Sequence, residues 1–170
     1  MTRMEETEAL RARTDVHYNC CQSVLVPFAD LCGLDKETAF RLGANFGSGM
    51  RHGSTCGAVT GALMVLGLAG KGADEATALM RRFREKNQVL DCANLLRLAK
   101  ERGEERKCHC DRMVYEAVEL LEELLHTGKL PLARLCEGSG VARKTLERHR
   151  KYVTALLLIY TNGYEIIRGH

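Results

Sequence analysis

Apolar residues recur at three- and four-residue spacing through much of the chain. They do so in Val24, Leu25, Phe28 and Leu31, in Leu79, Met80 and Phe83, in Leu95, Leu96 and Leu98, and in Val114, Val118, Leu121 and Leu125. That spacing lines one face of an α-helix, and no sustained alternation of apolar and polar positions signals a strand. The pattern predicts an all-α helical bundle. Residues able to accept a hydrogen bond from an unpaired first-turn amide mark the helix starts at Asn19, Asp35, Asp74, Asp91 and Asp111. Glycines mark the stops at Gly33, Gly43, Gly70 or Gly72, Gly103 and Gly128. Pro27 falls inside the first of these helices, where it kinks or restarts it.

The glycine-rich run from Gly47 to Gly53 opens directly onto Ser54, Thr55 and Cys56. No strand precedes it and no Lys-Ser/Thr pair follows, so a tight turn into a helix fits better than a phosphate-cradling loop. The helix it introduces, Cys56 to Leu68, carries Gly57 and Gly61, then Ala58 and Ala62, at four-residue spacing. Such a smooth face suits close helix packing and the centre of a bundle.

Composition changes this picture in one respect, the distribution of charge. The residues from His126 onward hold eight basic side chains (Lys129, Arg134, Arg143, Lys144, Arg148, Arg150, Lys151, Arg168) against three acids (Glu137, Glu147, Glu165). That segment is therefore +5 in a chain of formal net charge +3, which leaves −2 on the first 125 residues. A basic tail on a mildly acidic body is the footprint expected of an attached nucleic-acid module. The expected division is a helical cysteine-rich domain over 1–126 and a second module over 127–170, with the change of sign at His126 to Lys129.

Met1 to Thr14 is charged, and the longest later apolar run, Ala155 to Tyr160, is far too short to span a bilayer. The expectation is a cytoplasmic protein with no membrane partner. In that compartment eight cysteines argue for thiol redox chemistry or metal binding more than for structural disulfides.

Six of those cysteines fall at predicted helix N-termini: Cys20, Cys21, Cys56, Cys92, Cys108 and Cys110. Unpaired amides and the positive end of the helix dipole there favour a thiolate, lowering its pKa from about 8.5 toward neutrality. If the helix starts converge, the same six are candidate ligands for zinc or an iron-sulfur cluster, although no compact local metal motif is present. Adjacent Cys20 and Cys21 point about 100° apart on a helix, so at most one of them faces such a site and the other packs. His109 is a further candidate ligand, with a solvent-facing position as the commoner outcome. Cys32, at a helix C-terminus, and Cys136 read as packing residues.

The stretches NCCQSVL from Asn19, GSTCGAVTGALMVLGL from Gly53, DCANLL from Asp91 and KCHCDRMVYEAVELLEELL from Lys107 resemble the redox-active family named for its C, GCAxxG, C, C pattern. The resemblance covers about residues 15 to 125. It implies a small helical cysteine protein of redox or electron-transfer type, with Cys20, Cys56, Cys92 and Cys108 as the matched redox thiols. Here Gly57 stands between Cys56 and Ala58, where the literal pattern joins Cys to Ala.

Pro131 to Val153 fits a helix-turn-helix. Leu132 and Leu135 supply first-helix contacts, Cys136 takes the small-residue slot, Gly140 permits the turn, and Val141 with Leu146 closes the small core. Its second helix presents Arg143, Lys144, Thr145, Arg148 and His149, types suited to guanine edges and phosphate oxygens. From Lys129 onward the chain is similar to the C-terminal DNA-binding region of sigma-I-type RNA polymerase sigma factors, through its Gly-Val-x-Arg-Lys-Thr-Leu-Glu-Arg-x-Arg-Lys-Tyr core. The resemblance implies promoter contact through Arg143, Lys144, Thr145 and Arg148. With 170 residues there is no room for the other sigma regions, so the expectation is a borrowed reading head rather than a sigma factor.

The leading reading is a redox- or metal-responsive DNA-binding regulator, with DNA as partner and a homodimer seam along Val153 to Tyr160. A thiol oxidoreductase or electron carrier with a redox partner protein is the alternative from another class. A purely structural helical interaction protein is the third.

Overall fold

The computed structural model describes residues 1–126 and, beyond them, Thr145 alone, which is helical and exposed. The chain divides into two compact units, Met1–His126 and Thr127–His170. The remaining residues of the second unit, with Arg143, Lys144, Arg148, His149, Cys136 and the Val153 to Tyr160 stretch, lie outside the described residues.

The first unit is all-α. Its helices are α1 (Arg3–Ala12), α2 (Cys20–Leu25), α3 (Lys36–Gly43), α4 (Gly57–Leu68), α5 (Ala73–Asn87), α6 (Cys92–Glu101) and α7 (Arg106–His126). Among the described residues there is no strand, only an isolated antiparallel bridge between Thr55 and Asp91. Pro27 restarts the chain: α2 stops at Leu25 and a 3-10 turn, Val26–Phe28, carries the proline in its first turn. No helix of the described residues is long and apolar enough to cross a membrane.

Helix α4 lies at the centre, packed against α2, α5 and α7. Its glycines set how closely α2 approaches. A Cβ on Gly61 would stand 2.8 Å from the Cys21 carbonyl oxygen and 3.1 Å from Val24 Cβ. One on Gly57 would stand 2.9 Å from the Phe46 carbonyl oxygen and 3.1 Å from Cys20 Cβ. Around this contact Leu25, Phe28, Val59, Leu66, Phe83 and Leu121 are almost wholly buried. Burying each such side chain contributes roughly 1.5–3 kcal/mol.

The caps follow local chemistry. Asn19 Oδ1 accepts from the backbone N–H groups of Cys21 (2.9 Å) and Gln22 (3.0 Å), and Gln22 Oε1 accepts from the Asn19 N–H at 2.9 Å. Asn19 Nδ2 also donates to the Gly43 and Ala44 carbonyls, each at 3.1 Å, tying the start of α2 to the end of α3. Asp35 caps α3 as expected, accepting from the Thr38 N–H at 2.8 Å. Asp74 and Asp111 are not caps. Gly72 precedes α5, and Glu75 reaches back to its N–H at 2.9 Å. Helix α7 begins five residues before Asp111, whose carboxylate instead pairs with Arg11 of α1 at 2.6 Å and Lys107 at 2.8 Å. Helix α1, capped by Thr2 with Glu5, was not marked by the apolar periodicity.

Candidate functional site

Four cysteines from four helices share one neighbourhood. Cys20 opens α2, Cys56 is the N-cap of α4, Cys92 opens α6, and Cys110 lies in the second turn of α7. Backbone bonds tie two of them together: the Cys56 N–H donates to the Leu90 carbonyl at 2.8 Å, and the Cys92 N–H to the Ser54 carbonyl at 2.7 Å. Missing Cβ atoms bring in the rest. Gly57 admits Cys20, and a Cβ on Gly49 would stand 2.8 Å from Cys92 Cβ.

Within this group Cys20 and Cys110 are neighbouring thiols, and each shifts the other's titration. The hydrogen bond from Cys20 lowers the Cys110 pKa to about 7, with help from the charges of Arg11 and Arg106 and against burial and Asp111. The same bond, together with burial, pushes Cys20 well up. Of the two, Cys110 is therefore the one that ionises more readily, and Cys20 the one that holds its proton.

The expectation of thiolates at every helix start does not hold. Burial pushes Cys56 up to about 12, and burial with the nearby Cys110 raises Cys92. Removing a thiolate from water costs more than the partial charge of a helix terminus returns, so Cys110 is acidic because of its neighbours rather than its helix. Helix α7 starts at Arg106, so Cys108 and Cys110 lie inside its first two turns rather than ahead of it.

Arg11 is held firmly. Its side chain is only 8% exposed, it pairs with Asp111, and it donates to the Tyr18 carbonyl at 2.8 Å. A cavity of about 400 Å³ opens over the thiol pair, with Arg11, Ser48, Glu105, Arg106 and Lys107 among its walls. Its rim includes an unusual turn: Ser48, Gly49, Met50 and Arg51 have φ of 53°, 60°, 54° and 62°, four successive left-handed residues. Only glycine adopts that region freely, so the surrounding structure must hold the other three there. This run is a turn ahead of α4, as its glycines predicted, and it seats Cys92.

The other sequence candidates lie apart from the pair. Cys21 is fully buried, its Sγ 3.9 Å from Met64 Sδ, and burial raises its pKa to about 11. Cys108 is exposed, and its thiol donates to Glu105 at 3.5 Å, which raises its pKa. Residues two apart on a helix point about 200° apart, so α7 turns Cys110 inward and Cys108 outward. His109 is buried rather than solvent-facing. Its Nδ1 lies 3.4 Å from Glu104 and 3.3 Å from Arg112, and burial lowers its pKa. Cys32 is half-buried against the core. Among the described residues no group of three or more His, Cys, Asp or Glu side chains is placed to hold a metal ion. Sequence reasoning missed Arg11 altogether, because nothing local links it to a cysteine 99 positions later; Arg106 was visible beside Cys108 but carried no motif.

The family model described as "Putative redox-active protein (C_GCAxxG_C_C)" matches residues 18–124. The chain belongs to that family. It is also 43% identical over 56 residues to RNA polymerase sigma factor SigI of Bacillus anthracis, covering 33% of this chain and 23% of that protein. A second match, 32% identical over 59 residues, is to RNA polymerase sigma factor SigI7 of Acetivibrio thermocellus, covering 35% of this chain and 25% of that protein. The chain therefore spans about a quarter of the length of these curated relatives. No solved structure matches it.

Proposed function

We propose that this member of the redox-active C_GCAxxG_C_C family is a cytoplasmic DNA-binding regulator whose Cys20–Cys110 dithiol is the switch. The observation that carries the reading is the meeting of Cys20 and Cys110, from α2 and α7, at one cavity lined also by Arg11 and Arg106, in a chain that is similar to two sigma factors over 56 and 59 residues. Oxidation proceeds by thiol–disulfide exchange. The Cys110 thiolate attacks a disulfide and releases one half as a thiolate. Cys20 then attacks Cys110 Sγ, releasing the second half, and the lost Cys20 proton goes to that leaving group. The dithiol ends as a disulfide and the partner as two thiols.

Cys110 sits on α7, which runs to His126, the last residue of the first unit. Closing a Cys20–Cys110 bond draws that helix toward α2 and removes a negative charge beside Arg11. Both effects bias the segment leading into the 127–170 module, where Arg143, Lys144, Thr145, Arg148 and His149 are proposed to contact DNA. The test is fluorescence anisotropy on DNA selected in vitro with the reduced protein. The expected result is a Kd that differs about tenfold or more between reduced and oxidised protein, and no difference in Cys110→Ser. Equal affinity in both states would reject the switch.

The same thiol pair favours a second reading, a thiol oxidoreductase whose tail has another role. Steady reduction of a disulfide substrate, lost in Cys110→Ser, with DNA affinity indifferent to oxidation, selects it.

A further inference from the structure

We infer that the cavity over Cys20 and Cys110 takes a small disulfide bearing carboxylate groups, and that Arg106 selects for its negative charge. The inference rests on the dithiol reading above and names the oxidant class that reading needs. Its first support is size. About 400 Å³ falls in the range of roughly 300–1,000 Å³ typical of small-ligand sites.

Charge is the second support. Three cations line the cavity, Arg11, Arg106 and Lys107, against one carboxylate, Glu105. Behind the wall Arg11 and Lys107 share the single carboxylate of Asp111, at 2.6 Å and 2.8 Å. Glu105 accepts the Cys108 thiol at 3.5 Å. Arg106 has no ion pair and no side-chain hydrogen bond among the described residues, yet its charge reaches both Cys92 and Cys110. A guanidinium left without a carboxylate, on the first turn of a helix whose N-terminal end adds positive potential, is a ready partner for a ligand carboxylate. Placed so, the ligand's disulfide lies beside Cys110, the thiol that attacks it.

The third support is the geometry of access. Arg11 cannot serve the ligand, being 8% exposed and bound to Asp111 and the Tyr18 carbonyl, whereas Arg106 is exposed at the mouth. Anchoring and activation are thereby divided: Arg11 sustains the thiolate from within, and Arg106 meets the incoming charge. In the reaction the ligand's S–S bond breaks, the Cys20–Cys110 bond forms, and two electrons pass from the protein dithiol to give two free carboxylated thiols.

The experiment uses the full reduced chain carrying Cys108→Ser, which removes the exposed competing thiol. Three probes of similar size are compared at low salt: 3,3′-dithiodipropionate, 2-hydroxyethyl disulfide and cystamine, which are anionic, neutral and cationic. Formation of the Cys20–Cys110 disulfide is followed by mass spectrometry. The expected result is reaction about tenfold faster with dithiodipropionate than with cystamine, a ratio near one in Arg106→Ala and inverted in Arg106→Glu. Using the ratio cancels the general loss of thiolate that removing Arg106 also causes. An unchanged ratio in Arg106→Ala overturns the role of Arg106, and equal rates with all three probes overturn the ligand class while leaving the dithiol intact. Failure of every probe to link Cys20 with Cys110 would instead bring down the dithiol reading itself. Discrimination seen only with disulfides carried on acidic proteins would replace the small ligand by a protein partner.

Discussion

At the scale of single residues the chemistry is decided by who donates to whom. Cys110 is acidic because Cys20 gives it a hydrogen bond and two arginines face it, so its thiolate fraction should climb as pH rises through about 7. Only the thiolate alkylates. Iodoacetamide labelling of Cys110, read by mass spectrometry, should therefore be half-maximal near pH 7 and fall about tenfold per unit below pH 6. Cys20→Ala removes the donor and should shift the profile upward toward the ordinary value of about 8.5; a profile that stays in place would mean the arginines alone set it. Cys20, Cys56 and Cys92 were legible in the sequence as cysteines at helix starts. Which of Cys108 and Cys110 completes the pair was not, because that choice depends on the rotation of α7 and on where α7 begins.

Among the elements, the α2–α4 contact is where fold and site meet. Gly57 and Gly61 lie one turn apart on α4, and both face α2, but they border different things: Gly61 the Cys21 carbonyl and Val24, Gly57 the Phe46 carbonyl and Cys20. Alanine at either should cost roughly 1–3 kcal/mol by overpacking, measured by urea denaturation. Only Gly57→Ala should also change the rate of Cys110 alkylation, since its new methyl pushes on Cys20. Equal effects of both substitutions on that rate would show that general loosening, not displacement of Cys20, is responsible. The spacing of these glycines announced close packing in advance. The left-handed run at Ser48 to Arg51 was not legible in the same way, because three of its four residues are not glycine and take that conformation only where surrounding contacts impose it.

For the whole molecule the question is whether one half informs the other. If oxidation changes DNA affinity, linkage requires DNA to change the stability of the disulfide by the same factor. A tenfold effect on Kd corresponds to about 30 mV in a two-electron potential. Titrating the Cys20–Cys110 couple against a glutathione buffer with and without bound DNA should reveal that displacement, and identical potentials would separate the two functions. Membership of a redox-active family and similarity to a sigma factor over 56 residues set up this question within one chain.

Local pattern is enough to show that the first unit is helical, where α2, α3, α4 and α6 begin, which glycine face lies at the centre, and that cysteines stand at helix starts. Those are local properties, set by periodicity, capping chemistry and the lack of a Cβ, and they act over a few residues. The packing of the helices settles that Cys110 rather than Cys108 meets Cys20, that Arg11 stands beside them, and that burial rather than the helix dipole governs most of the thiols. Each of those depends on electrostatics and desolvation between groups far apart in the chain, and such terms take a value only once the helices have packed.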